Sequence, residues 1–439
     1  MLWPETTKRD AAGALTIGGV SCIALAERYG TPLYVFDEVT LRGQARRVTA
    51  AFRSVYPGSR LVYAGKAYLS PVIVGMLAEE GLGLDVVSGG ELYAGLAAGI
   101  SPEAITFHGS NKSEQELREA LEAHVGTIVV DNFHELELLA QLTTEMNRRA
   151  TVLIRLNPGV DVHTHDKIKT GVTDSKFGFP IWTGDAALAV ERAVRIPGIE
   201  VTGYHAHIGS QLFEPDAYRL TVDALIAFAA EMRRRHDLIP RVISPGGGFG
   251  IAYQEGETSA SFADFAAVIG EALTSACARE ELPLPELVVE PGRSVVGPAA
   301  VALYRVGAIK TIPAVRTYVS VDGGMADNIR PALYGARYAA ALANREAPES
   351  PEPVTIAGKY CESGDVLIEQ IALPPLATGD LLAVPAVGAY CLPMASNYNF
   401  APRPAVVLVR AGKTRVIRRR ETYQDLLALD VLDVMEGAS

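Results

Sequence analysis

A lysine just beyond an apolar strand is the first feature of this chain with a chemical consequence. In Tyr63-Ala64-Gly65-Lys66-Ala67, the run Leu61-Val62-Tyr63-Ala64 reads as a strand and a helical stretch begins near Ser70. A lysine at a strand end needs either water for its ammonium or a task. One such task is a Schiff base with an aldehyde cofactor, because a desolvated lysine gives up its proton and becomes a nucleophile. A solvated loop lysine is the commoner reading of the peptide alone. The choice therefore passes to the other strand ends.

Three of those carry chemistry-bearing groups. Gly246-Gly247-Gly248-Phe249-Gly250 follows a strand, and consecutive glycines let backbone N–H groups approach an anion with no Cβ in the way. Glu290-Pro291-Gly292-Arg293 follows the next strand. In His205-Ala206-His207-Ile208-Gly209-Ser210-Gln211 the alternation puts His205 and His207 on one face. A metal site there needs a third ligand, and none stands at a characteristic spacing. Two satisfied core histidines are one alternative. An imidazole lying flat on an aromatic cofactor, with Ser210 reaching its phosphate, is another. Farther on, Cys361 sits in Gly358-Lys359-Tyr360-Cys361-Glu362-Ser363-Gly364-Asp365, among charged and small residues. A structural thiol normally has apolar neighbours, so this one reads as a partly exposed acid or nucleophile.

The elements that position these groups alternate regularly. Strand-like runs fall at 61–64, 84–87, 104–107, 126–130, 151–156, 201–205, 241–243 and 287–289. Between them, 70–80, 90–98, 113–123, 134–146, 185–194, 216–235 and 261–278 have helical period, and Ser113 with Glu116 forms a capping box. Eight such strands predict a parallel (β/α)8 TIM barrel, whose active site lies at the C-terminal strand ends. Those ends carry Lys66, Asp85, His108, Asp131, Asn157, His207, Gly246 and Glu290. A doubly wound open sheet is the rival, but it would concentrate function at one crevice. A lead-in with a short helix at 22–29 and a strand at 32–36 precedes the alternation, and that strand suits either domain. After about Val295 the rhythm turns all-β, with strands at 301–310, 317–321, 354–356, 381–385, 405–409 and 414–418 and a loop at 346–353.

Composition bounds the answer. The chain has 439 residues, 49% hydrophobic and 21% charged, which suits a two-domain globular enzyme rather than a disordered protein. A formal net charge of -11 argues against nucleic acid as a partner. Cys22, Cys277, Cys361 and Cys391 have no metal-ligand spacing and read as reduced thiols, so no metal is expected. The N-terminus lacks signal-peptide character and no apolar run spans a bilayer, so a cytoplasmic protein without a membrane partner is expected.

Taken together, the motifs resemble the fold-type III pyridoxal-phosphate decarboxylases, most closely those acting on diaminopimelate. The resemblance runs from about Thr31 to Phe400. It rests on the peptide around Lys66, Asp174-Ser175-Lys176-Phe177-Gly178, His207 to Gln211, the triple glycine, Glu290 to Arg293, Arg330-Pro331-Ala332-Leu333-Tyr334, Cys361 to Asp365 and Gly388-Ala389-Tyr390. It implies a barrel of the alanine-racemase type over 38–294. Residues 1–37 and 295–439 would form a β-rich domain that completes the active site of a partner subunit in a homodimer. The cofactor would be pyridoxal 5'-phosphate, with Lys66 as its Schiff-base lysine, His207 on its ring and Asp85 near the Schiff base. Ser210, Gly246, Gly247, Gly248 and the Pro291-Gly292-Arg293 backbone would hold the phosphate, which Tyr390 also approaches. Glu290 would pair with the ring nitrogen, where related racemases use an arginine. Cys361 would act as general acid and Glu362 would hold the distal ammonium of the substrate. Arg293, Arg330 and Tyr334 would clamp its distal carboxylate, with Tyr390 beside it. The implied reaction converts meso-2,6-diaminopimelate to L-lysine and CO2. Decarboxylation of ornithine, arginine or lysine, and a catalytically dead regulatory homologue, are the alternatives. The first leaves Arg330 and Tyr334 unexplained, and the second predicts loss of Lys66, Glu290 or Cys361, all of which are present.

Overall fold

A computed structural model describes residues 1–160, 175–346 and 350–431 and divides the chain into two compact units. Asp174 of the Asp174–Gly178 motif lies outside the described residues. The first unit comprises Met1–Leu2, Thr40–Pro298 and Gly388–Pro393. Its strands are β1 (Ser59–Ala64), β2 (Gly83–Val86), β3 (Ile105–Phe107), β4 (Thr127–Val130), β5 (Ala150–Asn157), β6 (Ile199–His205), β7 (Val242–Gly246) and β8 (Glu286–Val289). Neighbours pair in parallel from β1 round to β8, and β8 returns to β1 through Val289↔Leu61, which closes the barrel. The strands are apolar runs buried nearly throughout, as a sheet covered on both faces requires.

Seven helices of this unit follow strands β1 to β7: α2 (Pro71–Glu79), α3 (Gly89–Ala97), α4 (Glu114–Glu122), α5 (Phe133–Glu145), α6 (Asp185–Ala193), α7 (Asp216–His236) and α8 (Phe262–Arg279). The capping box expected at Ser113 is present, with Ser113 Oγ accepting from Glu116 N at 3.2 Å and Glu116 Oε2 accepting from Ser113 N at 2.9 Å. One helix escaped the sequence reading. Helix α1 (Glu38–Val55) precedes β1 and buries Leu41, Ala45, Val48 and Phe52 at helical spacing. That stripe is diluted in the sequence by Gly43 and four arginines.

The second unit holds the described parts of Trp3–Val39, Ala299–Val387 and Met394–Ser439. Its sheet runs, edge to edge, Val366–Leu373, Glu352–Ala357, Arg316–Val321, Ala300–Ile312, Leu33–Asp37, Ala405–Arg410 and Lys413–Arg418, with Leu381–Pro385 also on Ala300–Ile312. The N-terminal strand thus belongs to the β unit, antiparallel to Ala300–Ile312 and parallel to Ala405–Arg410. Leu33, Val35, Val301, Leu303, Leu381 and Val407 form the centre of its core. Two local expectations need correction: Glu352 and Pro353 are strand rather than loop, and Val366–Leu373 is a strand that was not foreseen. Gly388–Pro393 joins the barrel unit, where Tyr390 N donates to Ala67 O at 2.8 Å. Among the described residues no helix is long and apolar enough to cross a membrane.

Candidate active site

Strand register builds a row of polar side chains at the C-terminal end of the barrel. Tyr204↔Ile243 and His205↔Ser244 pair across β6 and β7, and Arg155↔His205 pair across β5 and β6. Asp131, Asn157, His108 and Glu290 lie at or just past the ends of β4, β5, β3 and β8, and Asp85 lies within β2. Parallel registry puts paired residues on the same face, so these side chains meet inside the barrel.

At the centre is Glu290. Its Oε1 accepts from Ser244 Oγ at 2.9 Å, and its Oε2 lies 3.2 Å from His205 Nε2. His108 Nε2 is 3.4 Å from Glu290 and 3.7 Å from Asp85, and its ring meets that of His205 edge-on at 4.7 Å between centroids. Burial works to raise the Glu290 carboxyl, yet His205 and His108 outweigh it and hold the group well below the usual carboxylate range. Burial drives Asp85 well above that range, with Lys66 opposing and Glu290 reinforcing. Two carboxyls on one low-dielectric floor are therefore pushed apart, Glu290 towards its charged form and Asp85 towards its neutral one. Burial also lowers His108, lowers His205 to about 4 and takes His207 well below its ordinary value. Burial thus disfavours the charged form of all three imidazoles, while Ser244 Oγ and His205 Nε2 lie within hydrogen-bond reach of Glu290.

The rim above this floor gathers the groups that the sequence singled out. Lys66 is half-buried in the turn Gly65–Ala67 that follows β1, and its charge is felt at both Asp85 and His207. The glycines are packed so closely that side chains have no room. A Cβ on Gly247 would lie 1.8 Å from Glu290 O, and one on Gly246 would lie 2.7 Å from His207 Nδ1. Gly246 and Gly248 take positive φ of 82° and 105°, which turns the loop after β7 sharply. Arg293 donates from Nη1 to Tyr253 OH at 2.5 Å and from Nη2 to Ser210 Oγ at 3.0 Å. Its guanidinium carbon lies 4.6 Å from the Tyr390 ring centroid.

Residues 42–297 match the family described as pyridoxal-dependent decarboxylase, pyridoxal binding domain. The chain is 47% identical to the diaminopimelate decarboxylase of Bacillus subtilis, with 97% of each chain covered. It is 43% identical to the Mycobacterium tuberculosis enzyme of the same name, with 98% of each covered. The chain belongs to the diaminopimelate decarboxylases. A crystal structure of the diaminopimelate decarboxylase of M. jannaschii in complex with L-lysine superposes with a TM-score of 0.93, at 35% identity and 99% coverage of each chain.

The family's cofactor fits what the barrel offers. Asp85 Oδ1 and Arg293 Nε are buried without a hydrogen-bond partner among the described residues, beside a side-chain-free glycine turn and a rim lysine. An ionised carboxylate at the floor suits a protonated pyridine nitrogen, and a glycine turn beside a guanidinium suits a phosphate.

The barrel unit thus brings together Lys66, Asp85, His207, Ser210, Gly246, Gly247, Gly248, Glu290, Pro291, Gly292, Arg293 and Tyr390. Arg330, Tyr334, Cys361 and Glu362 belong to the β unit. There Arg330 is buried and donates to Tyr338 OH, while Cys361 and Glu362 are exposed. Their loop is pinned by Asp365, which accepts from Met325 N at 2.6 Å and from Tyr360 N at 2.8 Å. Cys22, Cys277 and Cys391 are buried thiols in no disulfide, which leaves Cys361 as the exposed thiol.

Several participants were not given a role from sequence. His108, Ser244 and Arg155 line the floor, and Glu91 is pushed up to about 7, chiefly by burial. Lys112 is buried with Glu135 at 2.5 Å. The third donor that spacing could not supply for His205 also appears in space, since His108, His205 and Glu290 cluster within 4.8 Å. Only registry between strands far apart in sequence could have revealed them.

Proposed function

We propose that this chain decarboxylates meso-2,6-diaminopimelate to L-lysine and CO2 in the last step of lysine biosynthesis, with pyridoxal 5'-phosphate as cofactor. The observation that carries the reading is end-to-end: 47% identity to a diaminopimelate decarboxylase over 97% of both chains. The relative solved with L-lysine, which is the product of this reaction, supports it further.

Bound pyridoxal phosphate supplies an electron-withdrawing ring that accepts the electron pair left as CO2 departs. Lys66 Nζ would hold its aldehyde carbon, and His207 would pack against its ring. Glu290, held ionised by its neighbours, keeps a proton on the ring nitrogen. Ser210, Gly246, Gly247, Gly248, Pro291, Gly292, Arg293 and Tyr390 hold the phosphate, and Asp85 stands beside Lys66. Arg293, Arg330 and Tyr334, with Tyr390 beside them, hold the distal carboxylate of the substrate, and Glu362 its distal ammonium. A guanidinium that grips a carboxylate would fix the orientation of the substrate in the site. Cys361 Sγ then delivers a proton to Cα. The exposed, braced position of the Cys361 loop favours this role.

The direct test is release of CO2 and L-lysine from meso-diaminopimelate by the purified holoenzyme, with L-lysine and L-ornithine as competing substrates. Equal rates on all three would overturn the substrate assignment. Arg330→Ala is expected to lower kcat/KM for diaminopimelate by about 1.5–3 kcal/mol, the worth of a charge-assisted pair. Cofactor retention should stay unchanged, and equal loss of both would remove Arg330 from the substrate clamp.

On the same reading the working form is a cytoplasmic homodimer, in which Cys361 and Glu362 of one copy serve the barrel of another. Lys66→Ala and Cys361→Ala are each expected to be inactive. Mixed under conditions of subunit exchange, they should regain activity, because some hybrid dimers carry one site with both residues intact. Exchange demonstrated by mass without recovered turnover would mean that each chain owns its whole site.

A further inference from the structure

We propose that Asn399 is a positioning residue for the reaction: it grips the backbone of Cys361 and so fixes the place from which that thiol delivers its proton. The proposal rests on the function given above, in which Cys361 is the acid. Both residues belong to the β unit. Cys361 N donates to Asn399 Oδ1 at 2.9 Å, and Tyr398 OH donates to Cys361 O at 3.3 Å. Two adjacent residues thus hold both polar backbone groups of the cysteine. Neither bond uses Sγ, so the grip leaves the thiol itself for chemistry.

The gripping turn is shaped and braced. Asn399 has φ 53° and ψ 28°, and Phe400 beside it has φ 54°. Residues other than glycine pay for the left-handed region, and asparagine is among the few that enter it readily. Such a turn persists where its surroundings over-determine it, and strain of this kind gathers at functional sites. Here Asn397 Nδ2 donates to Ala401 O at 3.0 Å and to Glu421 Oε2 at 2.6 Å, while Arg403 Nη2 donates to Asn397 Oδ1 at 2.8 Å. Ser396 N donates to Ala326 O at 2.8 Å. The Cys361 loop has its own brace in Asp365, which accepts from Tyr360 N and Met325 N. Asn399 therefore joins two anchored loops at the residue whose side chain would do the chemistry. An exposed hydrogen bond adds little to stability, so what this one contributes is placement.

The test compares holoenzymes of the native chain, Asn399→Gly, Asn399→Asp and Cys361→Ala. Glycine keeps the left-handed backbone and removes the acceptor, whereas aspartate keeps an acceptor oxygen in the same place. Hydrogen exchange at the Cys361 amide, followed without substrate, reads the grip itself. It should be roughly tenfold faster or more in Asn399→Gly, as for loss of one hydrogen bond, and close to native in Asn399→Asp. In Asn399→Gly kcat should fall roughly ten- to a hundredfold with KM and Tm little changed, the range for a misplaced catalytic group. The solvent isotope effect on kcat should grow, because proton delivery is the step that is slowed. Asn399→Asp should recover most of kcat.

Native exchange at the Cys361 amide in Asn399→Gly would overturn the proposal, since the bond would then hold nothing. Faster exchange with native kcat, or a loss of kcat with an unchanged isotope effect, would make the turn structural only and overturn it equally. So would aspartate no better than glycine in both exchange and kcat. Native kcat in Cys361→Ala would instead overturn the assignment of Cys361 as the acid. Failure of the native enzyme to release CO2 from diaminopimelate would overturn the proposed function, and the exchange measurement would still decide whether Asn399 holds Cys361.

Discussion

Replacing Lys66 by alanine is expected to abolish turnover, with kcat falling on the order of 10⁴-fold or more, as for loss of a covalent catalytic group. The borohydride-reducible link to the cofactor should vanish with it. Lys66 lies in the turn after β1 at the barrel rim, close enough to Asp85 and His207 for its charge to act on both. The other lysine buried near this floor, Lys112, has its ammonium spent on Glu135, Gly109 O and Val129 O. No competing amine is thus presented from the floor among the described residues. Peptide mapping after reduction gives the check. A pyridoxyl adduct recovered on another lysine, with activity retained in Lys66→Ala, would remove Lys66 from the chemistry.

Glu290→Gln is expected to give the second largest loss, about 10²–10³ in kcat, comparable with removal of one preorganised group facing developing charge. Glutamine keeps the shape and can still accept from Ser244 Oγ, which donates at 2.9 Å in the native site, so KM and fold stability should change little. What disappears is the negative charge that, on the proposed function, holds a proton on the ring nitrogen. The variant should also show a changed cofactor absorbance at neutral pH. In the native enzyme His205 and His108 keep the Glu290 carboxyl well below the usual range, so raising pH above neutrality should not alter its charge. Wild-type kcat in Glu290→Gln with full cofactor loading would mean that the ring nitrogen finds its partner elsewhere.

Some of this was already legible in the amino-acid order. The barrel announced itself because each strand is a short apolar run between amphipathic helices, a local signal that tertiary contacts did not override. Lys66, the glycine turn and Glu290 stood out because each is an unusual residue at a strand end, where a barrel places its chemistry. Helix α1 stayed hidden, since its buried residues Leu41, Ala45, Val48 and Phe52 are spread through an arginine-rich stretch. The floor beneath the site was invisible for a different reason. His108, Arg155, His205, Ser244 and Glu290 are brought together by the register of five strands, and register is set by pairing between segments separated by whole helices in the chain. Residue types and local spacing therefore pointed to the barrel and to Lys66 and Glu290 at its strand ends, and it was the resemblance of the ordered motifs that gave those two residues their expected roles. Tertiary structure alone decided which of two buried carboxyls is pushed towards its charged form, because that depends on desolvation and on neighbours that no local pattern encodes.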